Sequence, residues 1–216
     1  MTLGTNLTIV LIALLLQSSC APPAPQVPPQ GAVTAQAAYP PMGAKWQIRR
    51  VDNSNGSAQE LTMTAMPIDY AGAARYGISN GTDVSVNDPA TFNEIARLQN
   101  GKLTSTSTPD NGTFSWPLWV GRSWTPSYAY HDVTRGRSWD PVQSFCQATA
   151  YEDVTVPAGA YKAFKIECQP GTNDAAYRTY WYAPDLKLIV KYIFQRTSSH
   201  YLGSGTFTTE LLTVPQ

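Results

Sequence analysis

Charge is what this sequence has least of. Lys, Arg, Asp and Glu make up 14% of its 216 residues and cancel to a net charge of zero, where a soluble domain usually carries about a quarter. Nucleic-acid affinity depends on a concentrated positive surface, so this balance argues against a nucleic-acid partner. Histidine is down to two residues and cysteine to three. His131 stands directly before Asp132, which sends the two side chains to opposite faces of a strand, and His200 lies beside a Gly-rich turn. Both read as surface or strand-end residues. Glu152 and Asp153 are likewise split by adjacency and make no glycosidase pair. The chain has no G-x-S-x-G elbow, P-loop, H-E-x-x-H or G-x-G-x-x-G. No catalytic residue, cofactor or metal site is expected, and the protein is not expected to be an enzyme. Long amphipathic helices are not expected either, for the Glu and Lys that their solvent faces need are scarce. Aromatic and β-branched residues between frequent turn residues favour strands.

No charged side chain precedes Lys45. Two segments fill that space. Leu7 to Leu16, "LTIVLIALLL", is about half the length of a membrane-crossing helix and is followed by "QSSC", as an export signal ends. Ser18 and Ser19 before Cys20 resemble a bacterial lipobox, although Gln17 stands where leucine is usual and Met1 to Asn6 carry no Lys or Arg. An ordinary cleaved signal and an uncleaved anchor are the alternatives. Ala21 after the cysteine resembles the pattern sorted to an outer membrane. The Pro-rich stretch that follows has no charge and reads as an extended tether that buries nothing. The expected layout is a signal peptide over 1–19, a lipidation site and tether over 20–44, and one β-rich domain over 45–216.

Turn chemistry divides that domain. Asn-Gly tolerates the positive φ of hairpin turns and occurs at Asn55-Gly56, Asn80-Gly81, Asn100-Gly101 and Asn111-Gly112. Pro157-Ala158-Gly159, Pro184-Asp185 and Gly203-Ser204-Gly205 mark further turns. Short β-type runs such as "WQIRRV", "TDVSV" and "KLIVKYIF" lie between them, which reads as an antiparallel meander. The fold expected is all-β, a twisted meander forming a sandwich or a partial (half) barrel. Residues 88–101 fit either a helix capped by Asp88 or a turn at Asp88 followed by a strand. The strand reading suits both neighbours and pairs Leu98 with Leu103 and Ala96 with Ser105.

One register can be worked out in advance. Folding Cys146 to Cys168 about Pro157 sets Glu152 against Lys162, Ala150 against Phe164, Ala148 against Ile166, and Cys146 against Cys168. The two cysteines meet on the apolar face and should join as a disulfide in an oxidising compartment, the alternative being two buried thiols. Cys20 is then the odd cysteine, explained by lipidation.

Aromatic rings are plentiful. Trp116, Trp119, Trp124, Trp139 and Trp181 offer stacking for sugars or walls for an acyl chain, and equally ordinary sheet packing. In "FSWPLWV", Phe114, Trp116, Leu118 and Val120 share parity as a core face, leaving Trp119 pointing away. Trp119 and Trp181, with Arg122, form the candidate ligand or partner surface. In Thr179 to Tyr192, "TYWYAPDLKLIVKY", the rings split between faces: Tyr180 and Tyr182 on one, Trp181 on the other, with Pro184-Asp185 as the turn.

"SWPLWVGRSW", "VTVPAGAYKAFKIEC" and "RTYWYAPDLKLIVKY", in this order, resemble an uncharacterised family of bacterial exported β-domains, a TapB-like domain of unknown function. The likeness covers about the second half of the chain and implies a β-fold and an exported compartment, without a mechanism. Lys187 stands where the family has glycine, at a position that would cost lysine about 1 kcal/mol if its φ is positive. The functional expectation is a non-enzymatic envelope lipoprotein, anchored to the membrane by lipid on Cys20. It would lie on the periplasmic face of the outer membrane and bind an envelope protein, a glycan or a lipid. Alternatives are a lipid or lipoprotein carrier built as a half-barrel, and an enzyme acting on envelope polysaccharide.

Overall fold

The computed structural model describes residues 26–216, and every regular element among them is a strand. The predicted signal segment and Cys20 lie outside the described residues. The first half contributes β1 (Lys45–Asp52), β2 (Ala58–Tyr70), β3 (Ala73–Ser79), β4 (Asp83–Asn87), β5 (Glu94–Gln99) and β6 (Lys102–Thr108). The second contributes β7 (Ser123–Trp124), β8 (Ser127–Asp132), β9 (Arg137–Val156), β10 (Gly159–Pro170), β11 (Ala176–Ala183), β12 (Leu188–Arg196) and β13 (Gly205–Thr213).

Apart from the two-residue β7, which pairs with β9, each strand pairs antiparallel with its neighbour in the chain. The last strand then returns to the first: Ile48 pairs with Leu211 and Val51 with Thr208. The meander is as expected, but the sandwich or half-barrel is a closed barrel of twelve strands. An even count allows an antiparallel ring to close without a parallel seam, and closure satisfies the hydrogen bonds of both would-be edges.

Alternation sorts the side chains. Phe164, Ile166, Tyr182, Val190 and Leu211 are fully buried inside the ring, each worth about 1.5–3 kcal/mol of transfer free energy. Outside run ion pairs such as Lys165–Glu167 at 2.9 Å and Lys191–Glu210 at 2.7 Å. The outer face of β4–β5 also carries apolar residues, with Val84, Val86, Ala96 and Leu98 packed together.

Residues 26–44 correct the tether expectation as far as they are described. Ala35 pairs with Leu118 through two backbone hydrogen bonds, of 3.0 and 2.8 Å, and Pro40 is fully buried. Tyr39 packs between Tyr76, at 4.8 Å, and Phe92, at 4.5 Å. The same lack of charge that marks a spacer lets the segment enter the core. Together with the loop after β6, which supplies Phe114, Trp116 and Leu118, the segment forms an aromatic floor at one end of the barrel. Burial pushes the Tyr39 and Tyr182 phenols up to about 12. Unfolded tyrosine titrates near 10, so the folded state holds the extra protons between these values. This contribution is intact below about pH 10 and lost as the pH rises toward 12. Urea unfolding at stepped alkaline pH should show stability falling through that window, and a flat profile would contradict it.

Three Asn-Gly turns close hairpins as expected; Asn111-Gly112 lies instead in the loop between β6 and β7. The turn at Ala71-Gly72, with φ of 50° and 75°, carries no Asn signal. Residues 88–101 take the strand reading. The Asp88 carboxylate accepts the N–H groups of Ala90 and Thr91 at 2.8 and 3.2 Å, and β5 follows. Leu98 faces Leu103, while Ala96 faces Thr106 rather than Ser105 because the register shifts between Arg97 and Leu98.

The β9–β10 hairpin is correct at its open end and off by one near the turn. Cys146 faces Cys168 and Ala148 faces Ile166, but Lys165 faces Ala150, so Thr149 is an extra, bulged residue. Beyond it Lys162 faces Asp153, not Glu152, and the two form an ion pair at 2.8 Å. In β11–β12, Ala183 faces Leu188 across the Pro184-Asp185 turn, and Lys187 has φ 54°. Lys187→Gly should therefore raise stability by about 0.5–1 kcal/mol in chemical denaturation; a loss would show that the lysine side chain outweighs its backbone cost.

Candidate functional site

The barrel is solid at its floor and hollow above it. Inward side chains enclose a cavity of about 1010 Å³, at the upper end of ordinary ligand sites. At its rim, on the side of the barrel away from the floor, Arg50 and Leu202 are exposed to solvent.

Opposite walls differ in chemistry. Ring order places β5 six strands from β12, so β4–β6 stand across the lumen from β11–β13. On the β11–β13 side, Tyr180 stacks on Tyr192 at 4.6 Å, and Phe194 stacks on Tyr192 at 6.2 Å and on Phe207 at 6.4 Å. The rings continue through His200, Tyr201 and Trp139 to Tyr130, with neighbours 4.7–6.1 Å apart. Burial pushes the Tyr180 and Tyr192 phenols above their ordinary value, so both stay neutral. His200 is held below the usual imidazole range by burial first, then by the charges of Arg196 and Arg178.

The β4–β6 side is polar. One Glu94 oxygen accepts the Ser85 hydroxyl and the Arg97 guanidinium, both at 2.6 Å. Ser105 and Ser107 continue this wall. Arg97 projects into the cavity with its side chain 53% accessible, which leaves guanidinium N–H groups facing open space. The Glu94 charge above all holds it as a cation, and Tyr192 across the lumen is among the groups close enough to act on it. Arg178 is clamped by both Asp174 oxygens, at 2.7 and 3.1 Å, and lies 5.4 Å over the Phe194 ring. Three arginines (50, 97, 178) and three carboxylates (Asp83, Glu94, Asp174) line the lumen, so it has no net charge. Among the described residues no group of three or more His, Cys, Asp and Glu side chains is placed to hold a metal ion.

Cys146 and Cys168 are joined by a disulfide in the lumen wall, with Cα atoms 4.0 Å apart. Trp119 and Arg122 are brought together, the guanidinium 4.5 Å over the indole and donating to Ser115 at 2.7 Å. Trp119 is nonetheless buried and Val120 exposed, the reverse of the expected parity, because the segment is a loop rather than a strand. Trp181 is apart from them on the outer wall, its N–H given to Glu152 at 2.9 Å and its ring flanked by Lys165 and Lys191. The lumen residues escaped sequence reading. Their signal was parity with the Cys146/Cys168 face, which puts Arg178 beside Tyr180 on one wall and becomes useful only once the ring is known to close.

No protein-family profile and no curated protein matches the chain. Among solved structures, the hypothetical lipoprotein YmcC of Escherichia coli aligns with 80% of this chain and 85% of its own, at 12% identity and a TM-score of 0.45. A Bacteroides fragilis protein described as exported and of YmcC-like fold aligns with 84% of this chain and 100% of its own, at 13% identity and a TM-score of 0.43. A Parabacteroides distasonis protein described as a lipoprotein covers 84% and 99%, at 12% identity and a TM-score of 0.37. All three are distant, and none is described as TapB-like.

Proposed function

We propose that this is an exported binding protein of the bacterial envelope, without catalytic function, that receives a ligand in the lumen of its barrel. The observation that carries the reading is the cavity of about 1010 Å³ inside a closed ring, into which Arg97 directs N–H groups that have no partner among the described residues. A barrel serving only as a scaffold gains by filling such a space with side chains. Export is supported by the apolar leader and by the disulfide, which belongs to an oxidising compartment. Lipid on Cys20 would anchor the protein, with the outer membrane as its expected site. Gln26 is already tied to Ser123 by hydrogen bonds of 2.8 and 3.1 Å, so six residue steps separate that anchor from the barrel. Their reach is about 20 Å, which would hold the domain near the membrane surface rather than well away from it.

A lipid or lipoprotein carrier is the second reading, favoured by the aliphatic strip of Ile48, Leu61, Met63 and Ile78 in the lumen. Native mass spectrometry of protein taken from the envelope should show mass beyond the polypeptide and its anchor, released on unfolding. A bare mass under conditions that preserve weak complexes would refute lumen binding in either form.

A further inference from the structure

We infer that the lumen is built for an uncharged glycan chain; this deepens the lumen-binding reading and rests on it. The argument is the geometry of the walls. Polar and aromatic groups are not separated by depth, head from tail, but by side. Ser85, Arg97, Ser105 and Ser107 line one flank, and Tyr180, Tyr192, Phe194 and Phe207 line the flank opposite. A ligand that satisfies both must be polar along one edge and apolar along one face throughout its length.

An acyl chain is polar only at its end. Lying in this lumen it would leave the free Arg97 N–H groups and the hydroxyls of Ser105 and Ser107 without water, at a cost for each group. A sugar chain has the required form: hydroxyls at the ring edges, and C–H faces that rest on aromatic rings. Charge agrees with this. Two of the three lumen carboxylates are already engaged by arginine, Glu94 by Arg97 and Asp174 by Arg178. With three arginines against three carboxylates the lumen gives a charged ligand no net attraction to offset its desolvation, whereas a neutral hydroxyl adds to the free N–H groups of Arg97 without that cost. On the other side Arg178 lies 5.4 Å over Phe194 and Arg50 4.7 Å over Phe207, so that flank too carries donors for hydroxyls beside its rings.

The test is calorimetric titration of the mature protein with cellotetraose, maltotetraose and chitotetraose, and separately with palmitate. At least one tetrasaccharide should saturate a single site, and palmitate should not. Arg97→Gln and Phe194→Ala should each weaken that binding about tenfold or more, with thermal melts recorded to show that both variants remain folded. A folded variant pair that binds the sugar as tightly as the parent would place the site elsewhere and overturn the assignment. Failure of all three sugars also overturns the glycan class; if palmitate then saturates the lumen, the binding reading survives without it. If neither class binds and the envelope-derived protein has a bare mass, both readings fall.

Discussion

Deleting residues 26–43 should lower the free energy of unfolding by on the order of 5 kcal/mol, although composition marks this stretch as a spacer. The Tyr76 hydroxyl donates to the Pro40 carbonyl at 2.8 Å and the Tyr182 hydroxyl to that of Ala38 at 3.1 Å. Both phenols lie in the packed floor, and losing the acceptors would leave each hydroxyl buried and unpaired, at about 1–3 kcal/mol apiece. Tyr39 adds the loss of a large side chain wedged between two rings, for which truncation costs about 3–5 kcal/mol where the surroundings relax little. The sum is below the simple total because water will enter the opened floor and satisfy part of the demand. Urea unfolding followed by tryptophan fluorescence measures the change. A loss under about 1 kcal/mol would mean that the segment merely rests on the barrel. Tyr39→Ala alone should reproduce more than half of the effect.

Cys146→Ala with Cys168→Ala should cost about 3 kcal/mol, from the loop-closure entropy that the bond removes from the unfolded chain. The cross-link spans 22 residues of sequence, a loop long enough for that figure and short enough that its strands pair without it. The ladder from Gly159 to Pro170 should therefore persist, and the variant should fold to the same barrel with a Tm lower by roughly 6–12 °C. Calorimetry gives the shift, and alkylation before and after reduction shows whether Cys146 and Cys168 are joined in the protein from the envelope. A variant as stable as the parent would mean that the unfolded chain already holds these strands together.

How much of this was legible beforehand follows the range of each signal. Turn chemistry is local, and Asn55-Gly56, Asn80-Gly81, Asn100-Gly101 and Pro184-Asp185 each end a strand where the residues themselves demand it. Because nearly every strand pairs with its sequence neighbour, local turns also gave the meander. Closure was not legible. It depends on Lys45–Asp52 meeting Gly205–Thr213, and nothing in either segment names the other. The bulge at Thr149 was equally silent, since a single unpaired residue leaves composition unchanged and only shifts which of Glu152 and Asp153 meets Lys162. The tether was misread because proline and alanine without charge describe a disordered linker and a buried strap alike; Tyr39 was the residue that told them apart. The lumen was missed for the same reason as the closure. Arg97 and Tyr192 are far apart in the chain and belong to one site only across the completed ring.

A ring has no first or last strand, and that limits how other proteins can take hold of this one. Partners that bind by strand addition need a row of free backbone N–H and C=O groups on an edge strand. Here β1 and β13, which would have offered such rows, hydrogen-bond to each other. The same seal withholds the template on which β-rich proteins stack into fibrils. A partner seeking main chain is left the part of β9 beyond Ala148, whose only strand partner among the described residues is β10, and elsewhere has side chains and loops to read.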